Sequence, residues 1–342
     1  MAAKIREIAE RVGVSPATVS LVLNMKPGVG AETRDRVLEA AAQLCYRPRK
    51  VGGGAGLLAR TIRFILVSKR GGASSSGGRV FVADYIDGIE REARQLGCSL
   101  VLSSFDEFDS EEVLGYLDEG AVSGAIILST DLDEADVELL SLSRVPLVFI
   151  DTQYASPRFD FVDIDIDACV FETARYLLGL GHERVGFVAD RSGSRSFSLR
   201  ERSLRESLAR AGRSLAEADL FAIGSSKEEA QEDASRLASR LGDLPSAFFC
   251  VNDAITYRFI RLLGAAGLSV PEDVSVVGFD NLPSSALMTP SLTTVRVSSE
   301  HIGQRAMQLL ARRIEAPGRP PEKVLVRGEL VVRESAAPPR RR

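Results

Sequence analysis

The chain has 342 residues, of which 45% are apolar and 26% charged, with a formal net charge of −4. That length exceeds one ordinary core and predicts two or three domains, and the composition is that of a soluble globular protein. A net negative chain is no general nucleic-acid binder, and no stretch is long and apolar enough to span a membrane.

The charge is unevenly placed. Residues 1–60 hold ten Lys and Arg against five Asp and Glu, so a head of +5 precedes a remainder of −9. A basic head on an acidic body predicts an anionic partner for the head alone. Lys4, Arg6, Glu7 and Glu10 occupy the place where a secretory signal needs an apolar run. Cys45, Cys98, Cys169 and Cys250 are scattered, without a CxxC pair or a neighbouring histidine cluster. The expectation is reduced thiols in a cytoplasmic protein, with no zinc and no other metal.

Ile5, Ile8, Ala9 and Val12 share one helical face, and Gly13 ends that helix. Ser15-Pro16 then pairs an N-cap with a residue suited to the first helical position, opening a second helix through Leu23. Val37, Ala40, Ala41 and Leu44 give one face to a third helix over residues 32–44. Two helices joined by a tight glycine-containing turn predict a helix-turn-helix, with the second helix placed for the DNA major groove. Its open face carries Pro16, Ala17, Thr18, Ser20, Leu21 and Asn24, whose hydroxyls and amide suit phosphate oxygens.

Residues 49–61 form a linker containing Gly52-Gly53-Gly54, each glycine costing about 1 kcal/mol in a helix relative to alanine. From residue 62 onward apolar runs alternate with helical patterns. Strand candidates are 62–67, 99–104, 124–129, 146–151, 184–189, 247–252 and 274–280, and the rhythm predicts two doubly wound α/β subdomains. Ligands of such sheets sit beyond the carboxyl ends of the strands. Asp151, Asn252-Asp253 and Asp280 fall there, and Arg200 lies just past a Ser/Gly/Arg-rich loop. Together they can hydrogen-bond a small polar molecule, although each Asp or Asn singly can equally be a helix cap. The terminal PPRRR reads as a basic, disordered tail over 336–342.

No catalytic set is apparent. His182 lies in a turn before a strand, where a structural role is expected, and His301 lies early in a late helix. Neither neighbours a nucleophile motif, and there is no phosphate-binding glycine fingerprint, so neither an enzyme nor a bound cofactor is expected.

The stretch IREIAERVGVSPATVSLVLN, followed by ETRDRVLEAAAQLCYRP, resembles the head of the lactose-repressor (LacI/GalR) family of bacterial transcription regulators. LGHERVGFVA, FCVNDAITYRFIRLLGAAGLSVPEDVSVVGFDN and TPSLTTVR resemble the family's effector domain, itself similar to type I periplasmic binding proteins. The resemblance implies an all-α helix-turn-helix head over 1–48, a hinge over 49–61 and a two-subdomain α/β body over 62–335. In that architecture the chain crosses between subdomains near 160, 290 and 320.

The resemblance further implies base contacts from Pro16, Ala17 and Leu21. It implies backbone contacts from Ser15, Thr18, Ser20, Asn24, Thr33 and Tyr46, and effector contacts from Phe81, Asp151, Arg200, Asn252 and Asp280. Many relatives carry arginine at the position of Leu21; leucine offers only apolar contact, for instance to a thymine methyl, so a different half-site is expected. Relatives wedge a hinge leucine into the minor groove. Here Leu57 or Leu58 serves only after a shift, and the segment reads equally as a flexible tether. No aromatic occupies 223–226, where purine-binding relatives stack one, which favours a sugar-like effector. The expected protein is a homodimeric repressor on a near-palindromic operator, controlled by a small effector; the alternative is a solute-binding protein that regulates nothing.

Overall fold

The computed structural model describes residues 5–23, 29–30, 33–34, 36–37, 40, 60–69, 78–152, 154, 158–191, 195–224 and 226–340. The chain divides into two units, Met1–Leu57 and Leu58–Arg342.

In the first unit, α1 (Ile5–Val12) ends where Gly13 turns left-handed, at φ 73°, and donates its N–H to the Ala9 carbonyl. Ser15 caps α2 (Pro16–Leu23) by accepting the Thr18 N–H at 3.0 Å. Residues 33–34, 36–37 and 40 are helical, and Arg36 donates to the Val12 carbonyl at 2.9 Å. Ile8, Ala9, Val12, Val19, Val22, Val37 and Ala40 close a small core of their own. The helical periodicity thus supplies the buried face of each helix. The Gly-rich segment, with Leu57 and Leu58, lies outside the described residues.

The second unit is built on two six-stranded sheets. The first joins β1 (Arg60–Val67), β2 (Cys98–Phe105), β3 (Val122–Leu128), β4 (Leu147–Ile150), β5 (Asp160–Ile164) and β11 (Lys323–Val326) in the order β11-β5-β4-β3-β1-β2, all parallel. The second joins β6 (Val185–Asp190), β7 (Leu220–Ile223), β8 (Ala247–Cys250), β9 (Ser275–Asp280), β10 (Thr293–Arg296) and β12 (Glu329–Val331) in the order β12-β10-β9-β8-β6-β7, antiparallel only at β12. β1 begins two residues earlier than its apolar run, because Arg60 and Thr61 pair with Cys98 and Ser99 of β2.

Helices lie between the strands: α3 (Gly78–Gln95), α4 (Ser110–Asp118), α5 (Glu134–Leu139), α6 (Ile166–Gly179), α7 (Arg195–Arg210), α8 (Lys227–Ala238), α9 (Asp253–Ala265) and α10 (Ser299–Glu315). The chain leaves the first sheet after β5, returns through α10, and passes again from β11 to β12. The three passages meet at Gly328, where a Cβ would come within 2.8 Å of both the Arg296 carbonyl oxygen and Cys169 Sγ. α3 and α10 cross so closely that a Cβ on Gly88 would overlap the Glu300 carbonyl, and one on Gly303 the Tyr85 carbonyl.

Of the expected disordered tail over 336–342, residues 336–340 are described, and Ala337 and Arg340 are held in place. Ser335 is fully buried and donates to the Val276 carbonyl at 2.6 Å, while Ala337 exchanges hydrogen bonds with the Ser275 hydroxyl. His182 lies 3.0 Å from the Ala337 carbonyl and 2.8 Å from Ser246 Oγ, and Arg340 pairs with Asp273. The charge of PPRRR concealed a segment whose backbone completes the flank of β9. His182 is therefore structural, and burial lowers its pKa.

Candidate functional site

Asp151 directly follows β4, Asp280 closes β9, and Asn252 stands between β8 and α9, so all three lie at carboxyl ends of parallel strands. Asp151 is left-handed at φ 63°, a conformation that aspartate tolerates better than most side chains. Its two oxygens accept from Thr130 Oγ1 at 2.5 Å and from the Tyr85 hydroxyl at 3.2 Å. Tyr85 is buried on α3, one turn before the glycine crossing with α10, so that crossing also positions the phenol.

Asp280 and Asn281 both take positive φ, 120° and 58°. The loop they open is held from beneath: Asp253, fully buried, accepts from the Leu282 N–H at 2.9 Å, Ser285 Oγ at 2.5 Å and Thr294 Oγ1 at 2.6 Å. Asp253 thereby shapes the loop. Asn252 has its side-chain oxygen occupied as the N-cap of α9, accepting from the Ile255 N–H at 2.8 Å.

Arg200 reaches in from α7 and is 6% exposed. Its Nη1 donates to the Val251 carbonyl at 2.7 Å, its guanidinium lies 4.0 Å from the centre of the Phe279 ring, and its Nε is buried without a partner. Stacking on the ring fixes the fork in place. Arg195, at the start of the same helix, lies 4.7 Å from the centre of the Tyr154 ring, a contact between the two sheets' halves.

Three residues beyond the sequence-based set belong here: Tyr85, Thr130 and Asp163. Asp163 lies on β5, which is buried at all five positions between β4 and β11. It is 2% exposed; one oxygen accepts from the Ile164 N–H at 2.7 Å and the other has no partner. Asp160, on the same strand, is matched by Arg313 at 2.8 Å. Burial, and then the charge of Asp151, raises the Asp163 carboxyl to about 7. Burial also raises Asp151, opposed by Thr130 and then Arg200, and it raises Asp280 well above its ordinary value against the pull of Arg200. Arg200 thus acts electrostatically on Asp151, Asp163 and Asp280 together.

Phe81 lies on α3, but its side chain is outside the described residues. In the head, Pro16 and Ser15 are exposed, Thr33 is half-buried, and the Thr18 hydroxyl is 2.8 Å from Ser15 Oγ. The side chains of Ala17, Ser20 and Leu21, and residues Asn24 and Tyr46, lie outside the described residues, although α2 carries the first three. Among the described residues, no group of three His, Cys, Asp or Glu could hold a metal ion. No helix among them is long and apolar enough to cross a membrane.

Residues 4–49 match the family of bacterial regulatory proteins named for lacI, and residues 174–336 match a periplasmic binding protein-like domain. A curated relative, the HTH-type transcriptional repressor PurR of Mannheimia succiniciproducens, is 28% identical over 337 residues, covering 97% of this chain and 98% of the relative. Among solved structures, the transcriptional regulator CelR in complex with cellobiose aligns with a TM-score of 0.70 at 26% identity, over 97% of this chain and 99% of that one. The lac repressor dimer bound to operator and the anti-inducer ONPF aligns with a TM-score of 0.72 at 25% identity, over 98% of this chain and 100% of that one. A lacI-type head on such a body removes the alternative of a solute-binding protein that binds a sugar without regulating transcription.

Proposed function

We propose that the chain is a homodimeric, cytoplasmic repressor of the lacI family of bacterial regulatory proteins, acting by binding rather than by turnover. The observation that carries this reading is the union of a capped helix-turn-helix with a body in which Asp151 and Asp280, at the ends of β4 and β9, both feel the charge of Arg200. The head, residues 1–48, reads a near-palindromic operator, because two-fold protein symmetry requires two-fold sites. Pro16, Ala17 and Leu21 face base edges, while Ser15, Thr18, Ser20, Asn24, Thr33 and Tyr46 grip the backbone. Leu57 or Leu58 serves as the hinge wedge.

The effector is a small sugar-like molecule in the cleft, held by Phe81, Asp151, Arg200, Asn252 and Asp280. Arg200 donates, the carboxylates accept, and Asn252 offers its amide group. Because the three chain passages meet at Gly328, closing the cleft rotates one half of the body against the other about that point. In a dimer that rotation changes the separation of the two heads, so effector and operator are linked reciprocally.

The test is selection of genomic fragments by the purified full-length protein, sequenced with and without a pool of sugars. One palindrome, gained or lost on adding the pool, is expected. Absence of any enriched sequence at low and moderate salt contradicts the reading.

A further inference from the structure

The site gathers more carboxyl groups than cations to face them. Asp151, Asp163 and Asp280 share the field of a single guanidinium, that of Arg200. Asp131 adds to the negative field at Asp151, and Asp253 to that at Asp280, while Arg333 acts on Asp253. Lys323 acts on Asp163, but its ammonium is committed to the Tyr154 carbonyl at 2.8 Å. Tyr85 contributes only a neutral donor, already directed to Asp151.

Two buried polar atoms in this cluster lack partners. One is the second oxygen of Asp163, an acceptor; the other is Nε of Arg200, a donor. Most buried polar atoms find a partner, so an unmatched acceptor and an unmatched donor in one cluster mark a place where a ligand's groups can bond. Asp160 shows the contrast, because the same strand supplies a carboxylate fully matched by Arg313 and the Glu322 N–H. Asp163 therefore differs from Asp160 in having no cation in hydrogen-bond contact. Among the described residues no three carboxylate, imidazole or thiol groups are placed to hold a metal ion, so an inorganic cation does not fit. An organic ammonium does, because it donates several hydrogen bonds and needs no fixed coordination sphere.

Resting on the reading of this cleft as the effector site, we infer that the effector is an amino sugar. Its ammonium docks on the unpartnered oxygen of Asp163 beside Asp151, and one of its hydroxyls accepts from Nε of Arg200. Asp163 is then the residue that separates an amino sugar from its neutral twin. An ammonium in place of a hydroxyl adds charge-assisted hydrogen bonds in a buried site, which corresponds to about ten- to hundredfold in affinity.

Calorimetric titration of the full-length protein with matched pairs tests this: glucosamine against glucose, galactosamine against galactose, mannosamine against mannose. At least one amine is expected to bind about ten- to hundredfold more tightly than its twin. Asp163→Asn is expected to remove that preference, bringing the amine's affinity down to that of its neutral twin, and Asp163→Glu to retain part of it. Thermal melting of each unliganded variant shows that it is folded. Equal or tighter binding of the neutral sugars overturns the inference, as does a preference that survives in Asp163→Asn, or no binding by any amine at millimolar concentration. If neutral sugars bind and Arg200→Ala abolishes that binding, the effector cleft stands and only the amine falls. If a sugar of either kind binds and neither Arg200→Ala nor Asp163→Asn weakens it, the cleft assignment falls as well.

Discussion

Asp163→Asn stabilises the unliganded protein, and the gain grows with pH. Asp163 is 2% exposed, with one oxygen satisfied by the Ile164 N–H and one unsatisfied. Its carboxyl stands at about 7 in the folded chain against an ordinary 3.8. Between those values the folded state holds the proton more tightly than the unfolded state does. Stability due to this group is therefore greatest at acid pH and falls as pH rises from about 4 to about 7. Above that, the full penalty applies. At about 1.4 kcal/mol per tenfold change in proton affinity, and shared with Asp151, it is on the order of 2–4 kcal/mol. Asparagine keeps the oxygen that accepts from Ile164 and places a neutral amide where the second charged oxygen was. For a body of this size the melting midpoint should rise by roughly 4–8 °C at about pH 8 and change little at about pH 4. Calorimetric melts of both proteins at the two pH values give the comparison. An asparagine variant that melts lower at alkaline pH, or that keeps the parent's pH slope, refutes the account of an unmatched buried carboxylate.

Gly303→Ala drives a methyl into the Tyr85 carbonyl at the α3–α10 crossing, and should destabilise the body by about 3 kcal/mol or more in urea unfolding. Leu21→Arg should leave DNA binding intact but shift the selected half-site toward guanine at one position, with about 1–3 kcal/mol of new discrimination in competition binding. Truncation after Glu334 removes Ser335 and Ala337 from β9 and leaves His182 without its carbonyl partner. It should lower the urea midpoint by the equivalent of about 2–4 kcal/mol, whereas removal of Arg341 and Arg342 alone should not.

The head was legible because its signals are local. Gly13 and Ser15-Pro16 punctuate the chain where α1 ends and α2 begins, and the apolar spacing of Ile8, Ala9, Val12, Val19 and Val22 is their buried face. The buried central strands were equally plain as continuous apolar runs. β5 was not, because Asp160 and Asp163 break what would otherwise be a continuous apolar run. What buries it is its place between β4 and β11, and β11 arrives about 160 residues later in the chain. Asp163 was hidden for that reason, and Tyr85 because a tyrosine on an amphipathic helix carries no mark of facing a cleft. The tail was misread because its arginines outweighed Ser335 and Ala337, whose bonds to β9 depend on tertiary placement alone. At Asn252 the local rule was informative, since the residue does cap α9.

In this molecule, occupancy of the cleft and occupancy of an operator are coupled. The most direct test of that coupling is the affinity of the full-length protein for its selected palindrome, by fluorescence anisotropy at fixed salt, with and without the sugar that alters the selection, in the parent and in Arg200→Ala. A shift of about five- to 150-fold with the sugar is expected in the parent, with an equal shift in sugar affinity when operator is present, and none in Arg200→Ala. An operator affinity indifferent to every sugar that the cleft binds would contradict the coupling.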